Sequence, residues 1–261
     1  MIICVDLDDT LLHSDKSISQ YTIDTFKKMK DNGDIIVINS ARSYQRCLPY
    51  ASEIDANYLI CNGGTDIYRR INDSYKQIYN TFIPKDVVDR VCKEYLKFCE
   101  YLSIQTSNCL YTTEVNPKAS FVTKLPVKDS FSYDTYKIII YKGQKDEIER
   151  ISLENGLDYI IYVNGFYGKV SMKGVDKYTG LVNLLKIENL EKEEVISFGD
   201  DLGDLKCLLY STYGVAMKNS IPEVLERIHT VCDSNDNDGV SKYLNKLYEE
   251  KKIWKKYLMH F

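Results

Sequence analysis

Short runs of aliphatic residues recur along the chain, and they are apolar throughout rather than alternating. Ile2 to Leu7 opens the series and ends in acidic residues, Ile35 to Ile38 repeats it, and Tyr58-Leu59-Ile60-Cys61 gives a third. Unbroken runs of this kind predict strands covered on both faces, as in a parallel sheet. Between the first two, Ser19 precedes Tyr21, Ile23, Phe26 and Met29 at helical spacing, and Gly33 follows as a stop. The result is a β-α-β unit. Asn62-Gly63-Gly64 breaks the third strand, and Thr65 to Tyr68 with Gln77 to Tyr79 predicts a hairpin.

From about Pro84 the texture changes. A helix is predicted over Asp86 to Tyr101, then several short strand-like runs, a strand at Lys137 to Tyr141, a helix near Asp146 to Leu153 and a strand at Tyr159 to Val163. After Gly174 the first texture returns, with a helix from Asp176 to Leu185, strands at Val195 to Phe198 and Tyr213 to Met217, and a helix from Pro222 to Ile228. An α+β module is therefore inserted into an α/β domain that is split in sequence. In the tail, Leu244, Leu247, Tyr248, Trp254, Tyr257 and Leu258 share helical spacing, with Lys251, Lys252, Lys255 and Lys256 between them. This predicts a helix covering the core, with a dimer contact as the alternative.

Composition narrows the class. With 261 residues, 44% hydrophobic and 28% charged, the chain can bury a sizeable core. A net charge of −4 offers no long-range attraction for nucleic acid or an anionic membrane, so neither is an expected partner. No stretch approaches the roughly 18 apolar residues of a membrane span. Met1-Ile2-Ile3-Cys4-Val5 runs straight into Asp6, Asp8 and Asp9, without the basic and apolar regions of a signal peptide. The eight cysteines are scattered with no C-x-x-C pair, which favours reduced thiols over a disulfide framework or zinc site and a cytoplasmic location.

Candidate chemistry gathers at the strand ends. Asp6 and Asp8 close the first strand, and alternation directs both side chains to one side if the extended conformation persists. In open parallel sheets ligands sit beyond the carboxyl ends of the strands, where this pair falls; a solvated acidic turn is the alternative. Ser40-Ala41-Arg42 ends the second strand, and its serine could equally cap a helix. Lys177 opens a helix after Gly174-Val175-Asp176, a poor place for a cation unless an anion is to be met there; otherwise it is a solvated lysine. Val195 to Phe198 runs into Gly199-Asp200-Asp201-Leu202-Gly203-Asp204, hard oxygen donors that suit Mg²⁺. Together these groups match phosphoryl transfer. A carboxylate attacks phosphorus, cations and amides offset the repulsion of the dianion, and a second carboxyl moves the protons.

In this set the chain resembles the haloacid-dehalogenase-like phosphatases, in particular their Cof-type sugar-phosphatase branch, over nearly its whole length. Asp6-Leu7-Asp8-Asp9-Thr10-Leu11-Leu12 resembles the first motif, Ser40-Ala41-Arg42 the second, Lys177 the third and Gly199 to Asp204 the fourth. Asn62-Gly63-Gly64, Gly214 to Ser220 and Asn235 to Val240 are similar to further signatures of that branch. The resemblance implies a Rossmann-like parallel-sheet core at 1–82 and 171–261, with an α+β cap at 83–170 inserted between the second and third motifs. It implies Asp6 as nucleophile and Mg²⁺ ligand, Asp8 as acid and base with its backbone carbonyl on the metal, and Asp200 as the other protein ligand. Ser40 and Lys177 would hold the phosphoryl oxygens, Asp204 would support the metal's water shell, and Thr10, Arg42, Asn62 and Gly63 would be supporting residues. Asp8 is expected to be held protonated by its neighbours.

Two positions depart from the family pattern. Asp9 stands where glycine is usual, and Gly203 where asparagine is common. The resemblance thus implies a Mg²⁺-dependent hydrolase of small phosphorylated metabolites such as sugar phosphates, monomeric or homodimeric. The departures prompt an alternative, a catalytically weak phosphate-ligand-binding or regulatory protein on the same fold. A response-regulator receiver uses similar groups but places its aspartate on a middle strand of a chain less than half this length. His13, His229 and His260 form no spaced cluster, and the tyrosines of the insertion, Tyr101, Tyr111, Tyr133, Tyr136, Tyr159, Tyr162 and Tyr167, are expected mostly in packed core and strand surface.

Overall fold

The computed structural model describes residues 1–107, 109–114, 122–124, 130–131, 133–161 and 167–258, with backbone alone at 122–124, 167 and 251–258. Trp254, Tyr257, Leu258, the four tail lysines, Tyr162, His260 and the side chain of Tyr167 lie outside the described side chains.

In chain order the elements are β1 (Ile2–Val5), α1 (Gln20–Asp31), β2 (Ile35–Asn39), α2 (Tyr44–Glu53), β3 (Tyr58–Cys61), β4 (Asp66–Ile71), β5 (Ser74–Asn80), α3 (Lys85–Tyr95), β6 (Tyr101–Gln105), β7 (Leu110–Thr112), β8 (Val122–Lys124), β9 (Lys137–Tyr141), α4 (Lys145–Glu154), β10 (Leu157–Ile161) and β11 (Tyr167–Met172). They continue with α5 (Lys177–Glu188), β12 (Val195–Gly199), α6 (Leu205–Tyr210), β13 (Tyr213–Ala216), α7 (Pro222–Leu225) and α8 (Gly239–Leu258). The chain divides into two compact units, one formed by Met1–Ile78 with Asp176–Phe261, the other by Tyr79–Val175.

The first unit is built on a sheet of order β13-β12-β1-β2-β3-β4-β5, in which β13, β12, β1, β2 and β3 run parallel and β4 is antiparallel to β3. Alternation sorts each central strand between two helical layers. Ile3, Val5, Ile36, Ile38, Leu59, Ile196 and Phe198 join Phe26 and Met29 of α1 and Cys47 and Ala51 of α2 in one core. Leu244 of α8 is fully buried in the same core and Leu247 and Tyr248 pack against it, so the described part of the tail covers the core. On the opposite face stand Ile2, Cys4, Val37, Asn39 and Ile60, with α5 and α6 in contact with the sheet. The predicted cap of α1 is present. Ser19 Oγ accepts the Thr22 N–H at 3.0 Å, a contact worth about 1 kcal/mol, and Gly33 follows with φ +84°.

The second unit is a sheet of order β10-β11-β9-β6-β7-β8 packed on α3 and α4. Leu102, Ile104, Ile138, Ile140 and Val170 face Val88, Val91, Cys92, Ile148 and Ile151. The helix predicted to run to Tyr101 stops at Tyr95, and Tyr101 begins β6. Past Leu96 the apolar period changes from helical to two, because Leu102 and Ile104 must reach the helices from one sheet face. Tyr101 stacks on Tyr141 at 4.3 Å between ring centroids across neighbouring strands, and Tyr111 on Tyr133 at 4.4 Å against the core of this unit. Among the described residues no helix is long and apolar enough to cross a membrane.

Candidate active site

β1 stops at Val5, but Asp6 keeps an extended backbone (φ −75°, ψ 163°), so its side chain continues the face of Ile2 and Cys4 toward α5. The chain then coils tightly. Leu11 N–H donates to Asp6 O at 3.3 Å and Leu12 N–H to Leu7 O at 2.8 Å. Asp9 sits at φ +56°, left-handed geometry that glycine would enter without strain and that aspartate is among the few residues to tolerate. Asn219 Nδ2 donates to Asp9 O at 2.7 Å, Asn235 Nδ2 to Leu12 O at 2.9 Å, and Asn235 N–H to Asn219 Oδ1 at 3.0 Å. The two later signatures noted in the sequence thus clamp the Asp6 loop.

Asp6 meets Lys177 across the face. Lys177 Nζ lies 2.9 Å from Asp6 Oδ1 and 2.7 Å from Asp204 Oδ1, and all three side chains are less than a tenth exposed. Lys177 can occupy the first position of α5 because Asp176 caps the helix, accepting Thr179 N–H at 2.8 Å while Thr179 Oγ1 accepts Asp176 N–H at 2.9 Å. The helix start is pressed against the turn after β3. A Cβ on Gly64, at φ +103°, would stand 2.0 Å from Asp176 O, and one on Gly180 would stand 2.7 Å from Gly64 Cα. Gly199 serves the same purpose at β12, where a Cβ would fall 2.3 Å from Asp204 Cβ. Its absence lets Asp204 fold back so that Oδ2 accepts the N–H groups of Asp200 and Asp201 at 3.2 and 3.3 Å. Thr10 Oγ1 donates to Asp200 Oδ1 at 2.6 Å. Gly203 borders this group, donating its N–H to Asp201 Oδ1 at 2.7 Å.

Oxygens of Asp6, Asp200 and Asp204 all fall within 4.8 Å of one another. Burial, against the pull of Lys177 and with the push of Asp200 and Asp201, raises the Asp6 carboxyl to about 6. Burial and the charges of Asp204 and Asp201 raise Asp200 to about 7, against Thr10 and Lys177. Burial alone would lower the Lys177 ammonium, but Asp204, Asp6 and Asp201 carry it well above its usual value. One lysine therefore faces three crowded carboxylates, a set short of positive charge and made only of hard oxygen donors, which fits a small divalent cation such as Mg²⁺. Asp204 belongs to this carboxylate group itself.

Asp8 departs from the expected convergence. Its carboxylate accepts Arg42 Nε and Nη2, both at 2.7 Å, and pairs with Lys16 at 3.1 Å, whereas Asp6 pairs with Lys177. Burial raises the Asp8 pKa, but hydrogen bonds and charge from Arg42 and Lys16 outweigh it and bring the group to about 2. Asp8 is thus ionised here rather than held protonated, because its neighbours are cations. Arg42 is itself seated over the Tyr50 ring at 5.0 Å. Ser40 is buried at the end of β2, and its hydroxyl accepts Arg42 N–H at 3.2 Å. Asn62 and Gly63 hold this turn from β3, donating N–H groups to Arg42 O at 2.8 Å and Ser40 O at 3.0 Å. Both take left-handed backbone, φ +51° and +74°, and Asn62 Nδ2 donates to Asp66 Oδ1 at 3.0 Å. Lys16, Asn219 and Asn235 were not singled out individually from sequence. Lys16 lies in a polar loop with no periodicity to mark it.

The model of the haloacid dehalogenase-like hydrolase family matches residues 3–244. The chain is 24% identical to the 5-amino-6-(5-phospho-D-ribitylamino)uracil phosphatase YitU of Bacillus subtilis, over 95% of this chain and 97% of that protein. It is also 24% identical to a phosphatase of the same description, YbjI of Escherichia coli, over 94% and 95%. Among solved structures, a phosphatase of the haloalkanoate superfamily from Bacteroides thetaiotaomicron superposes with a TM-score of 0.81 at 22% identity, covering 94% of each chain. A haloacid dehalogenase-like hydrolase from the same organism gives 0.78 at 22% identity, over 94% of this chain and 98% of that one. With Asp6, Lys177, Asp200 and Asp204 gathered at the carboxyl ends of parallel strands and a family match across nearly its full length, the chain belongs to the haloacid dehalogenase-like hydrolases.

Proposed function

We propose that this hydrolase is a Mg²⁺-dependent phosphatase of small phosphorylated metabolites, acting through an aspartyl-phosphate on Asp6. The observation that carries the proposal is the buried Asp6–Lys177–Asp204 arrangement with Asp200 alongside, at the carboxyl ends of parallel strands. The phosphatase names of the relatives support the reaction class.

Asp6, ionised by Lys177, attacks phosphorus; the P–O bond to the leaving group breaks as the Asp6 Oδ–P bond forms. Lys177 neutralises the dianion during attack, and the Ser40 hydroxyl and nearby backbone amides offer hydrogen bonds to the phosphoryl oxygens. Asp6, Asp200 and Asp204, with the Asp8 carbonyl, would hold Mg²⁺, which when bound supplies the positive charge that three carboxylates and a phosphate require. Thr10 fixes the Asp200 carboxylate. Asp8, ionised between Arg42 and Lys16, is set as the base that takes a proton from the water hydrolysing the phospho-enzyme. To protonate the leaving oxygen it must first take a proton from solvent, as it would once an arriving phosphate dianion draws off one of its two cations; that proton goes to the leaving oxygen, and the one Asp8 then takes from the hydrolytic water restores it.

The substrates proposed are sugar phosphates and related phosphomonoesters, and the relatives' names place a phosphorylated ribitylamino-uracil on the panel. The test is phosphate release from an aryl phosphate and from that panel, with and without Mg²⁺. Release that needs Mg²⁺ and vanishes in Asp6→Asn supports the reading. Tight phosphate binding without turnover would favour a binding protein instead.

A further inference from the structure

We infer that Asn39 is a positioning residue for Lys177, holding the first turn of α5 so that the ammonium rests between Asp6 and Asp204. The inference rests on the role proposed for Lys177. Asn39 is the last residue of β2 and is 2% exposed. Its Nδ2 donates to the backbone carbonyl of Lys177 at 2.9 Å. The thiols of Cys207 and Cys4 lie next to the same nitrogen at 3.6 and 3.8 Å, from α6 and β1. One carboxamide therefore touches α5, α6 and β1 at once.

The other end of that side chain explains why the residue is informative. Asn39 Oδ1 is buried and has no hydrogen-bond partner among the described residues. Interiors seldom leave a carbonyl oxygen unsatisfied, because its lost hydration is not replaced. Turning the amide over does not help, since it would set two carbonyl oxygens 2.9 Å apart. Packing does not demand an asparagine either. The neighbouring positions on this face, Ile2, Cys4, Val37 and Ile60, are apolar or thiol-bearing and buried, so the surroundings do not themselves call for a polar side chain. The residue thus carries an energetic cost that the fold does not require, and its one strong hydrogen bond ends on the residue whose ammonium holds Asp6. A displaced Lys177 backbone would move Nζ off its 2.9 and 2.7 Å contacts.

The test is a double-mutant cycle in the full chain with Mg²⁺ and an aryl phosphate, using Asn39→Leu, Lys177→Met and the double variant, with Tm measured throughout. Asn39→Leu is expected to lower kcat about tenfold or more while KM stays nearly constant, the pattern of a misplaced transition-state contact. The double variant is expected to be no slower than Lys177→Met alone, since Asn39 acts only through that lysine. Asn39→Ala, which removes the same donor without added bulk, repeats the cycle should the leucine variant fold poorly. A kcat in Asn39→Leu and Asn39→Ala within about twofold of wild type, with Lys177→Met crippled, overturns the inference alone. So do losses that simply add in the double variant. Wild-type kcat in Lys177→Met overturns the assigned role of the lysine and the inference with it.

Discussion

Asp6 is a carboxylate kept where ionisation is costly, and its substitution separates chemistry from stability. Asp6→Asn should abolish turnover, at least about a thousandfold in kcat, as loss of a nucleophile does. In chelator the same variant should melt higher than wild type at neutral pH. Because the folded pKa is raised from 3.8 to about 6, the ionisation cost is fully present above 6 and fades as pH falls through 6 toward 4. The Tm gain should fade over that window, and a constant gain across it would show that burial of the charge is not its source. Asp8 has the opposite sign. Lys16 contributes to holding it near 2, so in Lys16→Met the Asp8 carboxyl should titrate at higher pH, read by NMR of the carboxyl carbon. An unchanged Asp8 titration in that variant would show that Lys16 is not among the cations that hold it low.

At the level of elements, the site depends on how α5 begins. Gly64→Ala should cost about 3 kcal/mol or more, since the new Cβ meets backbone at 2.0 Å and the residue is left-handed at +103°. Near-normal denaturant stability in that variant would mean the turn does not press on α5. Asp176→Ala should lose the capping box, about 1 kcal/mol. Burial raises the Asp176 pKa, but Lys206 and the Thr179 N–H lower it on balance, so its stabilisation is present above the usual carboxylate range and lost as pH falls below it. The difference between wild type and variant should therefore narrow in acid. Much of this scale was legible in the chain: aliphatic runs located β1, β2, β3 and β12, and Ser19 and Gly33 bracketed α1. The overrun of α3 came from carrying the helix on to Tyr101, when the tertiary neighbours of Leu102 and Ile104 impose a strand that begins there. The direction of Asp8 was not legible, because it is set by Arg42 on another strand end and by Lys16 in a loop. Asn39 did leave a trace, as the lone polar residue closing Ile35-Ile36-Val37-Ile38.

For the whole molecule, the account requires that a divalent cation and the folded core stabilise each other. On the proposed reading Mg²⁺ would bind the carboxylates of Asp6, Asp200 and Asp204 only once folding has brought Asp6 to the other two, so Tm should rise with Mg²⁺ as RT ln(1 + [L]/Kd) dictates. Asp200→Asn should flatten that rise, and an identical titration in wild type and variant would place the ion elsewhere. The insertion Tyr79–Val175 has its own core, built from β6, β9, α3 and α4. Its tyrosines spell no readable ligand motif, and Tyr101, Tyr111 and Tyr133 are engaged in packing pairs.

The most direct measurement is acid quench of the Mg²⁺-loaded enzyme during turnover of a ³²P-labelled phosphomonoester, followed by peptide mapping. The account predicts a transient acyl-phosphate, labile to hydroxylamine, on the peptide containing Asp6, longer-lived in Asp8→Asn and absent in Asp6→Asn. Label on another residue, or full turnover in Asp6→Asn, would contradict it.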